Sequence, residues 1–286
     1  MNRKDFIKKS ILGTTAIVAG SAVAKSVSEN QHVEALGFNH IKNTKSNIMK
    51  NAVLHKAETR GYANHGWLEA RHTFSFANYY NPERTQFGVL RVLNDDIVAG
   101  GMGFGTHPHD NMEIITIPLE GDLAHKDSMG NAETIKFGDV QVMSAGTGIQ
   151  HSEFNPNHDR RTNLLQIWVF PKVRNVTPRY QQITLNVTDR HNKLQQVLSP
   201  NADDDGVWIH QDAWFNMGNL DANTTVNYSL NKKGNGLYLF VIKGKVTVED
   251  QELNQRDGFG IWDFENLSIK ASTDAEILLM EVPMNQ

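Results

Sequence analysis

Gly101-Met102-Gly103-Phe104-Gly105-Thr106-His107-Pro108-His109-Asp110-Asn111-Met112-Glu113-Ile114-Ile115-Thr116-Ile117-Pro118-Leu119-Glu120-Gly121 holds the two patterns that decide how this chain reads. Glycines and an Asp-Asn turn pair surround a His-x-His step, and an apolar run then ends on a glycine. On extended backbone successive side chains alternate faces, so His107 and His109 point the same way, and Glu113 shares their parity. His151-Ser152-Glu153 repeats the arrangement, with His151 and Glu153 on one face. Two such pairs meeting across a barrel would supply three imidazoles and a carboxylate to one divalent metal.

The apolar run is one of many. Residues 87–93, 114–119 and 164–170 are short apolar stretches, and Asn94-Asp95-Asp96, Met129-Gly130-Asn131 and Phe137-Gly138-Asp139 read as turns between strands. This spacing predicts an all-β sandwich or barrel with little helix. The second half repeats the grammar. Leu237 to Val248 echoes Ile115 to Leu123, and Arg256 to Trp262 echoes Lys136 to Val142, which points to an internal duplication. His210 is the last histidine, so the second copy cannot assemble a histidine metal site. The polar stretch from Pro178 to Asp212 reads as the crossover, dividing the chain into units at 51–177 and 178–286.

The chain has 286 residues, 39% hydrophobic and 21% charged, and no cysteine, which excludes disulfides, thiolate metal sites and cysteine nucleophiles. Residues 1–24 read as an export signal: a basic segment, an apolar stretch from Ile11, and Ala22-Val23-Ala24 as a cleavage site. Arg3-Lys4-Asp5-Phe6-Ile7-Lys8 resembles the twin-arginine motif with Lys in place of the second Arg. The apolar stretch is too short for a permanent membrane span, so a periplasmic product is expected. Residues 25–50 are polar and read as a linker. Without residues 1–24 the chain has 24 basic and 31 acidic residues. That balance gives no electrostatic footprint for nucleic acid or anionic membranes.

Five side chains compete for a metal: His107, His109, Glu113, His151 and Glu153. Imidazole and carboxylate donors suit Fe(II), Mn, Ni, Cu or Zn rather than Ca or Mg. The glutamate that does not bind would orient a histidine from outside. Open coordination positions would then make the site catalytic. His72 reads as structural and His65 and His125 as loop or rim residues. Phe74, Phe76, Phe104 and Trp168 read as core.

Gly101, His107-x-His109 and Glu113 resemble the first cupin motif, with Gly121 one residue late. Gly138, Gly148, His151 and Asn155 resemble the second, with Gly146 replacing its usual proline. Arg60 to Leu68, His72 to Tyr80, Arg91 to Asp96, Gly105 to His109 and Met143 to Asn155 together resemble the pirin family of bicupins, in particular its bacterial quercetin 2,3-dioxygenase-like members. The resemblance implies two jelly-roll β-barrels, with metal only in the first. It implies His107, His109, His151 and Glu153 as ligands, Glu113 outside the ligand shell, and Fe(II) as the metal. The expected activity is a metal-dependent dioxygenase using O2 to cleave the heterocycle of a flavonol, with Glu153 or Glu113 taking the hydroxyl proton. The alternative is a non-enzymatic iron-binding redox sensor. A Zn- or Mn-dependent isomerase or hydrolase is a third reading.

Overall fold

The computed structural model describes residues 51–285; the export signal expected at 1–24 and the linker at 25–50 lie outside the described residues. Four sheets, antiparallel except for one parallel pair, account for almost all regular structure, apart from two short 3-10 turns at Ala57–Thr59 and Val187–Arg190. No helix among the described residues is long and apolar enough to cross a membrane.

One seven-stranded sheet runs in the order Arg179–Thr184, Asp139–Ser144, Glu113–Glu120, Thr162–Val169, Leu90–Val98, Leu68–His72, Gly61–Asn64. Its four-stranded partner is Gly103–His109, Ile149–Phe154, Asp122–Asp127, Ala132–Lys136. The second unit repeats this order except at one edge, where Val207–Trp208 follows Leu194–Ser199 in the chain and pairs with it in parallel. Its seven-stranded sheet is Ala52–His55, Gly258–Trp262, Asn235–Lys243, Ala275–Pro283, Trp214–Leu220, Leu194–Ser199, Val207–Trp208. Its four-stranded sheet is Thr225–Ser229, Asn266–Ala271, Val246–Val248, Gln251–Leu253.

The fold is therefore all-β, two-domain and cupin-like, but the expected closed barrels are corrected: in neither unit do the two sheets share a ladder. The chain changes sheet through sharp glycine corners instead of strands that bend around the side. Gly121 lies between Glu113–Glu120 and Asp122–Asp127 at φ 73°, and a Cβ there would sit 2.8 Å from the Arg161 carbonyl oxygen. Only glycine adopts that corner without strain.

Both faces of each large sheet are buried. Leu93, Ile115, Ile117, Val142, Leu165 and Ile167 pack with Phe215, Tyr238, Phe240, Leu278 and Met280 in one cluster between the domains. Ile114, Leu164 and Trp168, on the opposite face, turn inward to the first unit. A strand buried on both faces reads as a continuous apolar run rather than an alternating one, which is how 114–119 and 164–170 read.

The first strand of each half crosses to the other half's sheet. Ala52–His55 pairs with Gly258–Trp262, and Arg179–Thr184 pairs with Asp139–Ser144. His55 Nδ1 and the Tyr238 hydroxyl, 2.8 Å apart, fasten the first exchange, and Asp257 accepts from the Ala57 amide at 2.8 Å.

Two local readings change. Asn94-Asp95-Asp96 is the middle of the nine-residue strand Leu90–Val98 and not a turn. Asp95 faces the domain boundary, where Arg60, Arg256 and Asn163 all donate to its carboxylate at 2.9–3.4 Å. Pro178 to Asp212 contains the strands Arg179–Thr184, Leu194–Ser199 and Val207–Trp208. Arg179–Thr184 and Val207–Trp208 are edge strands, and the glutamines of Arg179–Thr184 and Leu194–Ser199 mask the alternation.

Phe240→Ala is expected to cost about 3–5 kcal/mol. Because its cluster belongs to both domains, calorimetry should show a single transition moved to lower temperature. Two separated transitions, with only one shifted, would contradict the shared core.

Candidate metal centre

Gly103–His109 and Ile149–Phe154 pair antiparallel, and the register sets His107 opposite His151 and His109 opposite Ile149. Glycine permits this approach. A Cβ on Gly103 would lie 2.1 Å from the Glu153 carbonyl oxygen; Gly146 (φ 48°), in the turn before the second strand, makes a separate close contact, where a Cβ would lie 2.0 Å from the Val176 carbonyl oxygen. The rings of His107, His109 and His151 converge, with centroids 4.4–4.9 Å apart. One nitrogen from each lies within 4.8 Å of the others.

The donor chemistry fits a metal. His107 Nδ1–H donates to the Gly105 carbonyl at 2.8 Å, which leaves Nε2 with its lone pair. Both nitrogens of His151 are buried without a hydrogen-bond partner. Burial is the main cause of depressed pKa at all three, with His109 pushed down to about 3 and the neighbouring histidines adding to the effect at His109 and His151. Neutral imidazoles are the form that binds metal.

Glu153 is placed differently from the expectation of one four-donor cluster. The ladder slips between His151 and Glu153, so that Glu153 pairs with Phe104, and its carboxylate groups with His151 and His125. Gln166 Nε2 donates to its two oxygens at 3.2 and 3.1 Å, and burial raises its pKa to about 7. His151 thus belongs to two overlapping donor groups, His107/His109/His151 and His125/His151/Glu153.

His125 is 2% exposed, not a rim residue. It lies opposite Glu153 in the register, and its Nε2–H donates to Asp127 at 3.3 Å, which leaves Nδ1 unpartnered. The buried alternation Leu123, His125, Asp127 was the signal that could have found it. Glu113 is brought to neither group. It begins the strand Glu113–Glu120 and accepts from the Ser144 hydroxyl at 2.6 Å, with Arg179 and the His210 amide nearby.

The centre opens on a cavity. Leu68, Ala70, Phe76, Phe104, Ile114 and Trp168 form apolar walls, and His72, Asn94, Asp96 and Gln166 add polar groups. Phe74 stays in the core, whereas Phe76, Phe104 and Trp168 line the cavity. His72 is held by Asn94, with Nδ1 and Oδ1 2.9 Å apart, and also faces the cavity. The second unit's interior carries Leu237, Leu239, Val241, Ile269, Ile277 and Leu279 instead. Both candidate donor groups found among the described residues lie in the first unit.

Fold and site together define a two-domain, cupin-like protein with a divalent-metal-binding His/Glu cluster. Residues 53–169 match the Pirin family and residues 196–282 the quercetinase C-terminal cupin domain. The quercetin 2,3-dioxygenase of Escherichia coli (strain K12) is 46% identical over 231 residues, 80% of this chain and 98% of that protein. A pirin-like protein of Caulobacter vibrioides is 43% identical over 222 residues, 77% of this chain and 95% of its own length. The crystal structure of the bacterial pirin YhhW from Escherichia coli in complex with nickel(II) has a TM-score of 0.77 at 44% identity, covering 81% of this chain and 99% of that one. The chain belongs to the pirin family.

Two measurements test the site. Gln166→Leu removes the donor that holds Glu153 and is expected to weaken metal binding about 10–100-fold in chelator competition; unchanged affinity would show that the metal does not depend on this hold on Glu153. Burial lifts Glu113 to about 7 from 4.5, so between those values the folded protein binds a proton that the unfolded chain does not. Stability from this group is therefore intact below 4.5 and lost as pH rises through about 7. Glu113→Gln should gain on the wild type across that window, by on the order of 3 kcal/mol at its upper end. Parallel melting curves at pH 5 and 8 would contradict the assignment.

Proposed function

We propose that the protein is a metal-dependent dioxygenase that cleaves the heterocyclic ring of a flavonol, with O2 consumed and carbon monoxide released. The observation that carries this reading is the convergence of His107, His109 and His151 at one end of a cavity walled by Phe76, Phe104 and Trp168. A planar aromatic fits such walls, and neutral imidazoles suit a transition metal. The identity to quercetin 2,3-dioxygenases supports the same substrate class.

In this reading the three histidines and Glu153 hold the metal, with Fe(II) the expected ion. When bound, it supplies a Lewis acid that lowers the pKa of the flavonol hydroxyl and a redox centre for reaction with O2. Glu153 takes the hydroxyl proton on a carboxylate oxygen, and Gln166 Nε2–H, donating to both oxygens, fixes the plane of that carboxylate. Glu113 is turned toward Ser144, outside the cavity lining, which leaves the proton to Glu153. Phe76 meets the Trp168 ring edge-on at 5.4 Å, and Trp168 meets His109 at 4.9 Å, so the walls lock the ligand rings as they shape the pocket. Apolar walls hold the substrate against the centre and keep bulk water from the reacting carbons.

Metal-loaded protein mixed with quercetin without air should show a shifted flavonol absorbance, followed by turnover and carbon monoxide on admission of air. His151→Ala should remove both the metal and the turnover, the latter by more than about 100-fold, the upper end of what loss of an outer partner costs. A loaded wild type that binds quercetin but never consumes O2 would sink this reading.

A further inference from the structure

The cavity has a second polar end that the metal chemistry does not use. Asp96 Oδ1 and His72 Nε2 both line it, are buried, and have no hydrogen-bond partner. A buried polar atom without a partner costs roughly 1–3 kcal/mol, so two on one wall of one cavity call for an explanation. Neither is a packing accident. His72 Nδ1 is held by Asn94 Oδ1, so its Nε2 is aimed and not free to turn away. Asp95 next door satisfies its carboxylate with two arginines and an asparagine; Asp96, on the opposite face of the same strand, has no such ligand.

The register places this wall relative to the metal. Gln166, which holds Glu153, lies opposite Asn94, and Asn94 lies opposite His72. His72 is thus two strands from Gln166, roughly 9–10 Å across the sheet. Asp96 lies opposite Ala70, whose methyl group leaves the space over the carboxyl within the cavity. The same cavity is walled by Leu68, Phe76, Phe104 and Trp168. A ligand chelated at the histidine end, lying along these walls, brings its far ring to Asp96 and His72.

We propose that Asp96 and His72 form a receiving site for the ring hydroxyls of a polyhydroxylated aromatic substrate, remote from its metal-chelating end. The proposal rests on the flavonol reading above and adds the feature that selects among flavonols. Burial first, then the nearby Asp95 and Glu153, raises the Asp96 pKa well above its ordinary value, which favours the protonated carboxyl, a group that both donates and accepts. His72, depressed mainly by burial, presents a neutral ring. A site built to hydrogen-bond a hydroxyl discriminates strongly against an analogue without it, because its own groups are then left unpaired.

The test is binding in the absence of air, so that it does not depend on turnover. Ni(II)-loaded protein is titrated with quercetin and with 3-hydroxyflavone, which keeps the chelating hydroxyl-ketone but lacks the ring hydroxyls. The wild type should prefer quercetin by about tenfold or more, the range of one or two hydrogen bonds. Asp96→Leu should abolish the preference, and Asp96→Asn, which still hydrogen-bonds, should keep most of it. Asp96→Leu should also melt at the same temperature or higher, because it removes a buried unpartnered carboxyl; a residue retained for structure would melt lower. A wild type without preference, or an Asp96→Leu variant that keeps it, overturns the proposal. Selective binding by the Ni(II)-loaded protein, with no cleavage by the Fe(II)-loaded protein on admission of air, would instead overturn the dioxygenase reading and leave this one standing.

Discussion

The apolar contact between the two seven-stranded sheets is the constraint on which the rest of this molecule depends. It buries the outer face of the first unit's sheet against Phe215, Tyr238, Phe240 and Met280 of the second. The inner face of that sheet therefore need not supply all of its own stability, and can carry Asn94, Asp96, Gln166 and a cavity. Only two small apolar clusters, around Leu68 and around Ile114, remain on that side. The exchanged strands reinforce the contact: Ala52–His55 and Arg179–Thr184 each tie one half's backbone into the other's ladder. A domain with a hollow, polar interior is thus held closed by a neighbour whose interior is solid.

Within that frame the metal centre is a matter of register. A one-residue slip between Gly103–His109 and Ile149–Phe154 would turn a whole set of side chains to the other face and scatter the histidines. Gly103 allows the two strands to pair this closely, since a Cβ there would collide with the Glu153 carbonyl oxygen. The irregularity after His151 then sets Glu153 apart from His107 and His109 and delivers it to Gln166 and His125. His151, the residue before the irregularity, is shared by both groups. It is the pivot of the centre, which its burial and two unpartnered nitrogens reflect.

How much of this was legible in the sequence follows from which signals are local. His107, His109 and His151 stood out because period-two spacing on short strands forces them onto one face, and their convergence needs only a standard antiparallel pair. The all-β class was legible for the same reason. The open sheets were not, because closure depends on whether a corner glycine breaks the ladder, and Gly121 reads alike in either case. His125 was missed because its neighbours Ala124 and Lys126 dilute a short alternation, and its partner Glu153 is 28 positions away. Gln166 belongs to no motif, and Asp96, although inside the tract Arg91 to Asp96, reads there as part of a turn; both matter through the strand opposite them.

Asn94-Asp95-Asp96 shows why such residues escape a local reading. Three consecutive polar residues normally mark a turn, since burying them unpaired in a sheet is costly. Here the strand continues through them because each is handled separately. Asp95 meets Arg60 and Arg256 at the boundary with the second domain, where the arrangement fastens one domain to the other. Asn94 fixes a histidine, and Asp96, alone of the three, has a buried side-chain oxygen that meets no partner from the protein. The alternation of a single strand divides these roles: the odd-numbered carboxylate faces the interface and serves cohesion, and the even-numbered side chains face the cavity. A sheet buried on both faces can serve stability on one side and recognition on the other only if its polar residues obey that parity, and in this strand they do.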